Sequence, residues 1–322
     1  MTCSFPSRRP ACSRANSRAS GRSRSRPSSG GSRPRADCSA EPTPTRPRRS
    51  GRNASLGSSR RIRVTRVRAG VSHDTAALGP RESQLRAVVL SLGLGITGFV
   101  VGVAVFVLAV NALTALGIPV RANVVLRYGI SIIALQGVGL LVTSLAFFRW
   151  RDRFDLIKLR VPTRRDVGLI VGGLVGLLAL LAALSALYSR FGIQTPTTPI
   201  VQDGLETPVL ALYLIPLTYL LVGPGEELMF RGAVQGLLRE SYSRVPGIVI
   251  ASAVFAVAHA GNVLAAPLGE KLAYFAVIFT LSLVLGALYE LSDNLVVPML
   301  VHGTYNAFTF LQLYLVGTGQ LG

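Results

Sequence analysis

Thr207–Gly225, TPVLALYLIPLTYLLVGPG, is an uncharged stretch of nearly membrane-spanning length, and it runs directly into Glu226-Glu227-Leu228-Met229-Phe230-Arg231. A helix needs ~20 apolar residues to cross ~30 Å of hydrocarbon. Two carboxylates and an arginine at the end of such a run are costly unless they are paired or used. If the segment beyond Pro224 is helical, Glu227 and Arg231 stand at i and i+4 with the acid N-terminal, the favourable order for an ion pair. Glu226 points about 100° away on a helix of ~3.6 residues per turn, and so has no partner at that spacing. One glutamate reads as structural and the other as free. In a soluble protein the plainer reading would be that both favour the positive end of a helix dipole.

The apolar neighbourhood changes that balance. Working outward, Phe255 and His259 form Phe-x-x-x-His in one downstream apolar run, and His302 and Asn306 form His-x-x-x-Asn in another. The chain has three histidines, and the third, His73, lies far upstream in a polar region. A lone histidine on an apolar helix is as often a hydrogen-bonded core residue as a working one; a set of two histidines, an asparagine and a free glutamate is harder to assign to packing.

Glu226-Glu227-x-x-Phe230-Arg231, Phe255-x-x-x-His259 and His302-x-x-x-Asn306, in that order over about residues 205 to 315, resemble the signature of the CPBP family of intramembrane proteases. That family includes the prenyl-protein (CAAX) endopeptidases and the bacteriocin-immunity or Abi relatives. The resemblance implies a catalytic set of Glu226, His259, His302 and Asn306, with Glu227, Arg231 and Phe255 in support. It implies that Glu226 with His259 activates water while His302 and Asn306 bind the tetrahedral intermediate.

The residues themselves are suited to this chemistry. Peptide hydrolysis needs an activated water and a donor set for the developing oxyanion. A desolvated, unpaired carboxyl is a fitting base, although a helix N-terminus acts the other way on its basicity. His302 and Asn306 share a helical face, so both can reach one point. Zinc is the rival, since two histidines and two glutamates could ligate it. No His-Glu-x-x-His pair is present, and asparagine is an uncommon zinc ligand. The expectation is therefore no cofactor and no metal, with a zinc metalloprotease as the alternative.

Seven uncharged runs follow one another: Ala87 to Val110, Tyr128 to Phe148, Val167 to Ser189, Thr207 to Gly225, Val245 to Gly269, Leu272 to Tyr289, and Asn294 to the C-terminus. They predict an all-α polytopic transmembrane bundle of six to eight helices, with seven as the count of runs. Pro216, Pro224 and Pro298 are expected at kinks or ends. Gly172, Gly173 and Gly176 suggest close helix packing, and Gly286 suggests another close approach. Tyr274 reads as a core or lipid-facing residue, and Tyr305 as core more readily than as cavity lining. The stretch from Glu226 to Arg244 fits either a surface helix or a membrane helix.

Charge is distributed unevenly. Residues 1–80 hold 18 Arg, no Lys and the three acids Asp37, Glu41 and Asp74, a net charge of +15; the remaining 16 Lys or Arg and 12 acids give only +4. This Ser/Arg/Pro/Gly-rich tail cannot bury enough apolar area to fold. It reads as disorder or as untranslated sequence with a start near residues 71 to 85, ahead of a nucleic-acid-binding or lipid-binding arm and an organelle transit peptide. Cys3, Cys12 and Cys38 all lie in it and cannot serve the membrane part. The expected organisation is thus tail (1–80), N-terminal transmembrane helices (81–204) and protease-like core (205–315).

Basic residues orient the bundle. Arg149, Arg151, Arg153, Lys158, Arg160, Arg164 and Arg165 crowd the second loop, against Arg121 and Arg127 in the first. The second loop and the N-terminus are accordingly expected in the cytoplasm, in an integral protein of the cell membrane. The expected partners are membrane lipid and a peptide or protein substrate, prenylated chains among the candidates, with no nucleic acid for the domain. Two other classes compete with the protease: a non-catalytic scaffold or chaperone that keeps the motif as polar packing, and a transporter using buried Glu and His as a proton relay.

Overall fold

The structure is a computed structural model and describes residues 79–321. The tail's arginine repeats, its three cysteines and His73 lie outside the described residues. Among the described residues eight α-helical segments follow in order: α1 (Pro80–Ala115), α2 (Val124–Arg151), α3 (Arg164–Phe191), α4 (Pro199–Glu206), α5 (Val209–Arg239), α6 (Arg244–Ala258), α7 (Leu268–Ser292) and α8 (Val296–Gly317). No strand occurs among the described residues. The expected helical membrane bundle is the observed one. Five helices (α1, α2, α3, α5 and α7) are long and apolar enough to cross a membrane, and α6, with 15 residues, is a shorter apolar helix.

Each apolar run of the sequence holds a helix, but α5 differs from its expected extent. It does not stop at Gly225. It continues to Arg239, and every residue from Gly225 to Gln235 is buried. The segment carrying the two glutamates is thus the bundle's centre rather than a surface helix. Pro216 and Pro224 sit inside α5, where each lacks an N–H to donate, and the i→i+5 stretch Thr218–Val222 lies between them. A second such stretch, Leu228–Gln235, follows the glutamates, and a third, Ile133–Val142, occupies the middle of α2. Single π-type stretches of this kind are frequent at functional sites because they re-aim side chains without ending the helix.

Peripheral helices show the opposite pattern. On α3 only Asp166 and Leu177 are buried, while Val167, Val171, Val175 and Leu187 are exposed, as suits a helix facing hydrocarbon. Of the four glycines on α3, only Gly173 makes a close approach: a Cβ there would lie 2.7 Å from Leu288, whereas Gly168, Gly172 and Gly176 face open space. α1 and α2 meet more closely. A Cβ on Gly139 would lie 2.6 Å from the Gly98 carbonyl, a contact only glycine permits.

One end of the bundle gathers the starts of α1, α3, α6 and α8 and the ends of α2, α5 and α7. Gln84 donates to the Ser241 carbonyl, Arg160 to the Ser292 carbonyl and Arg165 to the Leu291 carbonyl. Arg239 pairs with Glu290 at 3.0 Å, and Lys158 pairs with Asp293. Asp155 in the same region is held below its ordinary carboxylate range by hydrogen bonding to Arg153.

Candidate active site

The polar cluster lies where α2, α5, α6 and α8 meet. Glu227 is fully buried and doubly engaged. Its Oε2 lies 3.1 Å from Arg231 Nε, and its Oε1 accepts a 2.8 Å hydrogen bond from His302 Nδ1–H. The i,i+4 pair read from the sequence therefore forms. Arg231, 1% exposed, also has its guanidinium 4.8 Å from the centre of the Phe255 ring, and Nη2 lies 3.4 Å from the Ser282 carbonyl. Phe255 thereby faces Arg231 on one side and contacts the His259 and His302 rings, at centroid distances of 4.6 and 6.2 Å.

Glu226 is 5% exposed and has no ion pair on its own helix. Its Oε1 accepts a 2.9 Å hydrogen bond from Gln136 Nε2 on α2. Its Oε2 is buried without a hydrogen-bond partner among the described residues. That oxygen lies 4.0 Å from His259 Nε2 and 3.8 Å from His302 Nε2.

The tautomers follow from the partners. His259 closes α6, and its Nδ1 lies 2.9 Å from the Phe255 carbonyl, which can only accept, so Nδ1 carries a proton. His302 Nδ1 likewise carries a proton toward the ion-paired Glu227. Both Nε2 atoms are thus left facing Glu226 Oε2. Separations near 4 Å are too long for direct hydrogen bonds, yet short enough for one oxygen atom to touch all three.

Two cavities open onto this point. The larger, about 670 Å³, is lined by Glu226, His259, His302 and Asn306, with Leu281 and Leu313 among its apolar walls. The second, about 300 Å³, is lined by Gln136, Glu226, His259 and Asn306, with Phe99 and Tyr128 beyond them. Ile200 of the short helix α4 lines both. α4 is tied down by an Arg127–Asp203 ion pair at 2.8 Å and by the packing of Gly204 against Leu313, where a Cβ would lie 2.5 Å away.

Glu226, Glu227, Arg231, Phe255, His259, His302 and Asn306 are thus all brought to one site. Tyr274 and Tyr305, read from sequence as packing residues, line the larger cavity, and Asn262 donates to the Tyr274 hydroxyl at 3.1 Å. Gln136 was not singled out by any local pattern, because its partner is 90 residues away. Its one sequence signal is that it is the sole polar side chain in IALQGVGLLV. Among the described residues, no group of three or more His, Cys, Asp and Glu is arranged to hold a metal ion.

A polar cluster enclosed by apolar helices defines the class: an integral membrane protein with a site built inside its helical bundle. The family follows from comparison. Residues 208–308 match the model of the family described as Type II CAAX prenyl endopeptidase Rce1-like, so the CPBP likeness read from the motifs is shown for that segment, about a third of the chain. This is a family of peptidases. No curated protein and no solved structure matched the chain.

Proposed function

We propose that the protein is an intramembrane endopeptidase in which Glu226 activates a water for attack on a peptide carbonyl. The observation that carries this reading is the convergence of His259 Nε2 and His302 Nε2 on Glu226 Oε2, at 4.0 and 3.8 Å, while Glu227 is committed to Arg231 and His302. Water held among the three would give a proton to Glu226 and be oriented by His259. Its oxygen would bond to the carbonyl carbon, and the resulting oxyanion would be met by His302 Nε2–H and the Asn306 amide. Collapse of the intermediate breaks the C–N bond, and the proton on Glu226 passes to the leaving amine. His302 donates from Nε2 as an imidazolium, its charge balanced by Glu227.

The substrate is proposed to be a membrane-anchored peptide or protein, with prenylated chains among the candidates, reached through cavities whose walls are largely apolar. The protein is proposed to lie in the cell membrane with its N-terminus cytoplasmic. The support is the basic end of the bundle, which carries Arg86, Arg151, Lys158, Arg164, Arg165 and Arg244. The site is proposed to lie toward that face, since His302 stands only about 9 Å of helix rise beyond Val296.

The test is cleavage of a panel of membrane-anchored and prenylated peptides by detergent-purified protein, wild type against Glu226→Gln, with and without a strong chelator. The proposal expects activity in the wild type, none in the variant, and no effect of chelator. Loss to chelator with recovery on zinc would assign His259 and His302 as ligands instead. Equal cleavage by wild type and variant would sink the glutamate-water mechanism.

A further inference from the structure

We infer that Gln136, on α2 and outside the matched segment, is a positioning residue that fixes which oxygen of Glu226 acts as the base; this rests on the reading of Glu226 given above. An ionised carboxylate can only accept hydrogen bonds, so the Gln136 amide nitrogen faces it, at 2.9 Å from Oε1. Oε1 is thereby occupied. Oε2 is left as the oxygen free to take a proton, and it is the one that both histidine Nε2 atoms face. A glutamate terminal torsion is broad and roughly two-fold. Without a donor on one oxygen, the plane of the carboxylate would not be set.

The backbone around Gln136 is built for this placement. A Cβ on Gly225, the residue before Glu226, would lie 2.5 Å from the Gln136 carbonyl oxygen, so α2 and α5 touch backbone to backbone at this level. On its other side α2 is held by the Gly98–Gly139 contact with α1. The i→i+5 stretch of α2 contains Gln136, and two such stretches of α5 flank Gly223–Glu227. Both helices depart from regular winding where their side chains must meet.

Packing alone does not account for the residue. Gln136 Oε1 is buried with no hydrogen-bond partner among the described residues, so the amide forgoes part of its bonding capacity in an apolar setting. A methionine of similar length would fill the same space without that cost. The groups that face Glu226 are Gln136 from α2, His259 from α6 and His302 from α8, with Glu227 and Arg231 beside it on α5; Gln136 is the one that donates to it directly at hydrogen-bond distance.

The experiment uses the full chain in detergent and compares wild type, Gln136→Met, Gln136→Asn and Glu226→Gln. Three readouts are taken: steady-state kinetics on a peptide cleaved by the wild type, the thermal midpoint, and the infrared carboxylate band of Glu226, isolated as the difference from Glu226→Gln. The expected result for Gln136→Met is a kcat lower by about 10- to 100-fold, the scale of a misplaced reacting group, with KM and thermal midpoint close to wild type and the Glu226 band shifted. Gln136→Asn, one methylene too short, should behave similarly. An unchanged kcat and band would overturn the inference, as would a kcat loss that only tracks a fall in thermal midpoint. If the wild type cleaves no peptide, the protease reading fails separately, while the infrared band still decides whether Gln136 holds Glu226.

Discussion

Two adjacent glutamates with opposite surroundings should fail in opposite ways, and Arg231 exposes the difference. Arg231→Met removes the only ion-pair partner that Glu227 has on its own helix, at 3.1 Å, in a site where Glu227 is fully buried. Breaking one side of a buried pair costs ~3–5 kcal/mol, because the remaining charge is left uncompensated. For a domain of this size each kcal/mol moves the thermal midpoint by ~2–4 °C, so a fall of roughly 6–20 °C is expected. Glu227→Gln should fall similarly, since it strands Arg231 and weakens the acceptor of His302 Nδ1–H. Glu226→Gln should do neither: its partner Gln136 can still donate to an amide oxygen, so the midpoint stays near wild type while cleavage is lost. The double variant Glu227→Leu with Arg231→Met should regain much of the stability, as apolar replacement of a buried pair often does, without regaining activity. The assay is a thermal melt of detergent-purified protein beside peptide cleavage. A midpoint for Arg231→Met within the ~2–4 °C that a single kcal/mol produces would refute the claim that this pair holds the site.

Four other substitutions test separate positions. Asn306→Ala should lower kcat by about 10²- to 10³-fold, the usual cost of one oxyanion donor, with an unchanged melt; a loss confined to KM would remove Asn306 from that role. Gly225→Ala should destabilise by ~1–3 kcal/mol through overpacking, because its Cβ would lie 2.5 Å from the Gln136 carbonyl, whereas Gly172→Ala on α3, facing open space, should be neutral or slightly stabilising in the same melt. Thr163→Ala should cost ~0.5–2 kcal/mol from the lost cap, since the Thr163 hydroxyl accepts from the Asp166 N–H at the start of α3; hydrogen exchange of the first turn of α3 would report it.

The site was legible where its chemistry is local. Glu227 and Arg231, Phe255 and His259, and His302 and Asn306 each lie one turn apart, so a helical period and an apolar setting suffice to pair them. Gln136 was not legible, because its hydrogen bond to Glu226 joins two helices and leaves no periodic trace. The extent of α5 was hidden for a different reason. A helix that is apolar on all sides has no amphipathic stripe to mark its phase, and Pro216 and Pro224 read as kinks or ends although α5 runs through both. α4 is eight residues long, too short for its period to stand out, yet its Ile200 lines both cavities. Tyr274 and Tyr305 read as packing because tyrosine on an apolar helix usually packs; their position on a cavity wall is a tertiary fact.

The charges of the cluster explain why so polar a site persists inside an apolar bundle. Glu226 and Glu227 carry two negative charges, and Arg231 carries one positive charge. With His302 as an imidazolium the four groups sum to zero, and each sits within contact or near-contact distance of an opposite charge. A low-dielectric interior tolerates a balanced, closely paired set far better than a net charge. In the proposed mechanism the same balance would serve catalysis, since a His302 imidazolium would both neutralise the site and donate to the oxyanion. On that proposal, when Glu226 takes a proton from water the negative charge it loses would reappear on the oxyanion beside His302, so the sum would not change during the step. Under the proposed mechanism, substituting Glu227 reaches beyond packing: it would remove the charge that lets His302 donate, and activity should fall in Glu227→Gln even at temperatures where the variant remains folded.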